Sequence, residues 1–210
     1  MNTIFSNKVR IYGAGGHSLV IRQTLEMNGG EVTEIFDDNP PSSQNIKLKN
    51  LISSSRKLKN FPHKGNPFII AVGSNSARAE IAAFLKSKFE KVTHSSAIIA
   101  PKTKIGEGTV ILAGAIIQSN VVIGKHVIIN TGASIDHDSI IDDYAHISPR
   151  VTLCGNIEVG EGAHVGAAAV VIPNIKIGKW STIGAGTVVL EDIPDYATVV
   201  GNPGKIIKIK

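Results

Sequence analysis

From Ile99 onward the chain carries an aliphatic residue at every sixth position without a miss: Ile99, Ile105, Ile111, Ile117 and so on through Leu153, Val159 and Val165 to Val189. Two positions before each of these, from Ala97 and Thr103 to Thr187, only Ala, Ser, Thr, Val or Ile occurs. Gly often follows the aliphatic, as at Gly106, Gly124, Gly160 and Gly178. A helix with 3.6 residues per turn cannot keep a period of six on one face. A short strand followed by a corner can, with the aliphatic pointing inward and a small residue easing the bend. Such units bury their aliphatics only by stacking on one another, so the pattern predicts a parallel β-solenoid. Three six-residue faces make an 18-residue turn and a triangular prism, about five turns tall over this span. Residues 18 apart then stack in columns, roughly 4.8 Å apart.

The preceding part follows other periods. Lys8 to Tyr12, Val32 to Phe36 and Phe68 to Val72 read as buried strands, and Ser18 to Met27 as a helix. Ser76 to Lys88 reads as a second helix, with Ile81, Phe84, Leu85 and Phe89 at helical spacing. Alternating β and α elements predict a small parallel sheet with its ligand crevice at the carboxyl ends of the strands. Gly13 to His17, Asp37-Asp38 and Gly73 to Asn75 occupy those ends and are expected to converge. The expected organisation is an α/β, Rossmann-like domain over residues 1–93 and an all-β parallel β-helix over residues 94–210.

Composition narrows the function classes. With 42% hydrophobic, 19% charged and 5% aromatic residues the chain suits soluble domains. No apolar run reaches the roughly 18 residues of a membrane span, and Met1 to Lys8 lacks a secretory core. The lone Cys154 fits a reducing compartment, and a cytoplasmic location is expected. Lys plus Arg number 22 against 17 Asp plus Glu, a surplus that favours phosphate-bearing partners weakly. Nucleic acid is not indicated. The basic cluster Lys47, Lys49, Arg56, Lys57, Lys59 and Lys64 has no interleaved aromatics and reads as a solvated loop.

Two constellations carry chemistry. The turn Gly13, Gly15, Gly16, His17 after the first strand can present backbone N–H groups and a helix start to phosphate. Ser18 stands where a dinucleotide fingerprint has its third Gly, so a nucleotide fits better than NAD. Asp37 and Asp38, about 20 residues on, can accept hydrogen bonds from a ribose or a base. In the solenoid, His137 lies between Asp136 and Asp138, acidic neighbours that fix one tautomer and raise basicity. Gly155 follows 18 residues later, in the same predicted column, where a bare N–H can stabilise an oxyanion beside that base. His146 and His164, also 18 apart, face outward with Val110, Ile128 and Thr182. Ile116, Val122 and Ile140 occupy neighbouring outward columns. Outward aliphatics in this number predict an oligomer interface, with His146 and His164 at a subunit boundary.

The motifs Y-G-A-G-G-H (Tyr12 to His17), Asp37-Asp38, V-G-S-N-x-x-R (Val72 to Arg78), N-T-x-A-x-I-x-H-D (Asn130 to Asp138), H-I-S-P (His146 to Pro149), C-G-N (Cys154 to Asn156) and D-Y-A-x-V-V-G-N-P (Asp195 to Pro203) span nearly the whole chain. Together they resemble the bacterial nucleotide-sugar N-acetyltransferases of the PglD type, grouped with the NeuD-type sialic acid O-acetyltransferases. The resemblance implies a left-handed solenoid and a homotrimer with active sites between subunits. It implies His137 as general base, Asp138 as its acidic partner and Gly155 as backbone donor to the thioester carbonyl. Gly13, Gly15, Gly16, His17, Asp37, Asp38, Asn75 and Asn130 would serve the nucleotide-linked amino sugar, by resemblance a UDP sugar. Acetyl-CoA, the co-substrate, would run past His146, Gly155 and His164 to Gly201, Asn202 and Pro203, with no metal required. Gly204 departs from the family's usual Ala. Acetylation of a 4-amino-4,6-dideoxy sugar and O-acetylation of a sialic-acid-like sugar need the same base, so the residues leave both open. Two other classes remain: a zinc hydratase resembling the γ-type carbonic anhydrases, built on His137, His146 and His164, and a non-catalytic nucleotide-sugar-binding module. The histidine spacings of 9 and 18 do not match the zinc enzymes' pattern.

Overall fold

The computed structural model describes residues 8–39, the backbone of 51–53, and 64–209. Of the basic cluster only Lys64 falls within these, and it is exposed. The first domain is a parallel sheet of β1 (Lys8–Tyr12), β2 (Glu31–Asp37), β3 (Leu51–Ser53) and β4 (Phe68–Ile70), in the order β3-β2-β1-β4. Helix α1 (Gly16–Met27) follows the glycine turn and α2 (Asn75–Leu85) follows β4. Val9, Ile11, Ile35 and Ile69 are buried on one side of the sheet against Ile21 and Leu25 of α1. Tyr12, Phe36, Phe68 and Ile70 are buried on the other against Ile81 and Leu85 of α2. Three strands and both helices lie where the hydrophobic pattern puts them. β3 sits inside a polar stretch whose composition gives no strand signal.

The second domain is a left-handed parallel β-solenoid. Two-residue strands from Val92–Thr93 to Val188–Val189 pair with the strand 18 residues on, as Ser134 with Thr152, Ile135 with Leu153, and His146 with His164. They form three faces. The first carries Val92, Val110, Ile128, His146, His164 and Thr182, the second Ile98, Ile116, Ser134 and Thr152, the third Lys104, Val122, Ile140 and Glu158. The stack has about six turns rather than about five, because pairing already begins at Val92. The inward aliphatics from Ile111 to Val189 make one continuous buried column. Removing such a group from water is worth roughly 1.5–3 kcal/mol per side chain, which stabilises a stack of strands too short to persist alone. The last rung, Ala197–Val200, is covered by Lys205–Ile209 running antiparallel to it.

One expectation about surfaces is corrected. Val110 and Ile128 are each 1% exposed. Val92, Val110 and Leu112 share a core with Val9, Ile11, Ile21 and Leu25 of the α/β domain. Val92 and Val110 of the first face are thus covered by the chain's own first domain, and His146 and His164 lie where that domain meets the solenoid. The cause is the outward aliphatic column itself, which the apolar side of β1 and α1 reaches first. On the other two faces Ile98, Ile116, Val122 and Ile140 stay exposed, at 64, 36, 38 and 44%.

Candidate active site

His137 and Asp138 form the turn between the strands Ser134–Ile135 and Ile140–Ile141, the edge shared by the second and third faces. His137 Nδ1 donates to Asp138 Oδ2 at 2.8 Å, which leaves Nε2 as the ring nitrogen with the free lone pair. The hydrogen bond to Asp138, with the charge of Asp136 adding to it, holds the imidazole above the ordinary histidine range. Asp138 sits at φ 58° and is steadied by Asn120 one turn below, whose Nδ2 donates to its other oxygen at 3.0 Å. On the next turn Asn156 N donates to His137 O at 2.9 Å, which fixes the column. A Cβ built on Gly155 would lie 2.7 Å from both Cε1 and Nε2 of His137. Gly155 is there because the imidazole lies across its Cα, and its N–H makes no hydrogen bond among the described residues. The His137 ring is exposed at this edge, and Gly155 beside it is buried.

The second group lies on the first face, under the α/β domain. His146 and His164 stack with centroids 5.0 Å apart and planes 19° off parallel. Burial, with His164 and Arg78 nearby, pushes His146 down to about 3, so the ring is neutral at physiological pH. Its Nε2 accepts from Asn130 Nδ2 at 3.2 Å, and the Gly73 backbone partly offsets the lowering. His164 Nε2 is hydrogen-bonded with Ser148 Oγ at 2.9 Å. His17 at the start of α1 is pushed down to about 4 by burial and by Arg78.

The strand ends do converge. Gly13 takes φ 112°, and a Cβ there would meet Ala71 O at 2.6 Å, so glycine is what lets the first turn cross beside β4. Gly15 and Gly16 face open space, and Gly15 caps α1 without a side-chain hydrogen bond, leaving the first helical N–H groups for an anion. Asp37 is partly committed: Oδ2 accepts from Ala14 N at 2.6 Å and Oδ1 from Asn39 N at 2.7 Å. Asp38 Oδ2 accepts from Tyr12 Oη at 2.9 Å. Asn75 is turned toward the solenoid, its Nδ2 donating to the carbonyls of Gly162 at 3.0 Å and Ala163 at 3.2 Å. Gly201, Asn202 and Pro203 form the exposed turn after the last rung, where Val188 N donates to Gly201 O.

Within one chain the two histidine groups do not meet, because the His137 edge is across the prism from the face bearing His146 and His164. Among the described residues no three His, Cys, Asp or Glu side chains gather as metal ligands. Sequence reasoning quoted Arg78 in a motif but assigned it no role. Its guanidinium is 1% exposed and donates to the carbonyls of Val72, Gly73, His126, Tyr144 and Ala145 and to Asn75 Oδ1. A cation at helical spacing beside Ile81 and Leu85, on the buried stripe of α2, was the available signal.

Residues 8–85 match the PglD N-terminal domain, and residues 102–137 and 156–191 match the bacterial transferase hexapeptide repeat. The chain resembles perosamine N-acetyltransferase of Caulobacter crescentus, solved as a histidine-to-asparagine variant with CoA and GDP-perosamine. The TM-score is 0.89 and the identity 32%, over 96% of this chain and 97% of that one. The acetyltransferase domain of PglB from Neisseria gonorrhoeae, solved with acetyl coenzyme A, gives a TM-score of 0.85 and 34% identity over 96% and 99%. UDP-N-acetylbacillosamine N-acetyltransferase of Bacillus subtilis is 44% identical over 114 residues, half of this chain and 51% of that protein's length. An α/β domain of this topology on a hexapeptide solenoid, matched end to end at such identities, places the chain in the PglD-type family of acetyl-CoA-dependent nucleotide-sugar N-acetyltransferases.

Proposed function

We propose that the protein transfers the acetyl group of acetyl-CoA to the 4-amino group of a nucleotide-linked 4-amino-4,6-dideoxy sugar, by direct attack. The observation that carries this reading is the close approach of the exposed His137 ring to Gly155 on the adjacent turn. The sugar's neutral amine attacks the thioester carbon, and a C–N bond forms as the C–S bond breaks. Charge on the carbonyl oxygen is met by the Gly155 N–H, a donor type worth roughly 10² to 10³ in rate. His137 Nε2 takes the amine proton, worth roughly 10² to 10⁴, and passes it to the departing CoA sulfur. Asp138 holds the imidazole in the tautomer this requires. The open N–H groups at Gly15 and Gly16 and the uncapped start of α1 suit the diphosphate of the nucleotide.

The placement of the histidines supports a homotrimer. A site that uses both His137 and the crevice near His146 needs two subunits, and the exposed Ile98, Ile116, Val122 and Ile140 flank the His137 edge on both faces. The acetyl donor then lies between prisms, from Gly155 toward Gly201-Asn202-Pro203. CoA thiol release measured with acetyl-CoA and a panel of UDP-, GDP- and dTDP-linked amino sugars tests the activity. His137→Ala lowers kcat by about two to four decades with the assembly intact. Wild-type turnover in that variant removes His137 from the mechanism.

A further inference from the structure

Arg78 and Asn75 are one helical turn apart at the start of α2, and together they grip three successive turns of the solenoid. Arg78 Nε donates to His126 O at 2.7 Å, its Nη2 to Tyr144 O at 2.6 Å, and Asn75 Nδ2 to Gly162 O at 3.0 Å. Residues 126, 144 and 162 are spaced by 18, so their carbonyls form a vertical row along the edge between the third and first faces. Arg78 also holds the other side, donating to Val72 O at 3.0 Å and Gly73 O at 3.3 Å, the loop that closes the substrate crevice. Asn75 Oδ1 accepts from Arg78 Nη2 at 2.9 Å, so the two side chains orient each other. The hydrogen-bond partners of this guanidinium among the described residues are all carbonyl or amide oxygens.

The Val92–Val110 pairing and the shared core tie the α/β domain to one rung, and side chains that reach three rungs at once fix its height and tilt more finely. One rung is about 4.8 Å. The acceptor amine must reach a base whose height on the prism is fixed by His137, and misplacement by about 1 Å already costs roughly 10² in rate. We propose that Asn75 and Arg78 form a latch that sets the height of the nucleotide-sugar crevice on the solenoid. They are positioning residues for the transfer rather than substrate ligands. The inference rests on the acetyltransferase reading above and assigns Asn75 a different task from direct contact with the sugar.

The test uses Asn75→Ala and Arg78→Lys in the full-length protein. Kinetics are measured with acetyl-CoA and the best nucleotide sugar, and hydrogen exchange is followed at the α2 amides. The latch predicts that kcat falls at least tenfold in both variants, that KM for the nucleotide sugar stays within about threefold, and that α2 exchange accelerates. Arg78→Lys keeps the charge but not the fork, so it does not rescue. A KM raised tenfold or more at unchanged kcat makes Asn75 a sugar ligand and overturns the proposal. Unchanged kcat with faster exchange makes the pair merely structural and overturns it too. An inactive wild type counts against the acetyltransferase reading instead, and unaltered α2 exchange then still refutes the latch.

Discussion

Gly155→Ala separates the chemistry of the site from the stability of the fold. The added methyl would lie 2.7 Å from Cε1 and Nε2 of His137 and 3.3 Å from Nδ1. Ordinary carbon contacts are about 3.5–4.0 Å, so the ring must retreat by roughly 0.8–1.3 Å. The retreat is cheap for folding, because the side chain of His137 is 58% exposed and free to swing, and Gly155 lies outside the left-handed region, where alanine is unstrained. Loss of glycine's freedom in the unfolded chain even favours the variant by about 0.4–1 kcal/mol. For catalysis the same retreat moves the base by about 1 Å and bends its 2.8 Å hydrogen bond to Asp138. A fall in kcat of roughly 10², or about 2.7 kcal/mol, follows. Initial rates of CoA thiol release and thermal melting measure the two effects, with Tm unchanged or slightly raised. Placing Gly155→Ala in a His137→Ala background checks the cause, since without the imidazole the methyl has nothing to displace and should cost less than about threefold. A full 10² loss in that background means that the substitution harms the Gly155 N–H itself, and the reasoning from ring position is wrong.

Two further outcomes concern pH. Because Asp138 raises His137, Asp138→Asn moves the acid limb of the kcat/KM profile to lower pH while reducing the plateau, since the base is weaker. An unshifted limb assigns that titration to another group. His17, His126 and His146 are held at about 4, about 4 and about 3, below their unfolded value of 6.5, first by burial. Groups depressed in the folded state add stability that is complete above pH 6.5 and drains as pH falls toward 4. The slope is at most about 1.4 kcal/mol per pH unit for each histidine. His164 is lowered by burial as well, so Tm measured from pH 7 to 4 should fall, and His126→Phe should make the decline shallower; an unchanged slope would remove His126 from this linkage.

The solenoid was legible because its signal is periodic and local: the six-residue aliphatic column is the inward column, and an 18-residue step places Gly155 under His137. The strand ends of the first domain were legible for the same reason, as glycine and aspartate after apolar runs. What stayed hidden depends on contacts between the two patterns. An outward Val110 or Ile128 looks the same in sequence whether another subunit or the chain's own α1 covers it. Asn75 reads as a crevice residue until its amide is seen to reach Gly162, and Arg78 is only the last letter of a motif until its carbonyl partners come from residues 48 and 66 positions away. The row of Gly108, His126, Tyr144, Gly162 and Trp180 was there to be found at a spacing of 18. His126 lies over Gly108 and Trp180 over Gly162, as His137 lies over Gly155.

The antiparallel return of Lys205–Ile209 onto Ala197–Val200 has a consequence for assembly. A parallel coil ends in a rung whose amides and carbonyls are a template for another copy's first rung, and end-on addition of that kind grows filaments. Reversing the chain direction on the final rung presents an edge of the wrong polarity for the next coil, and Lys205 and Lys208 add like charge to it. On this face the antiparallel strand therefore blocks the addition of a further parallel rung.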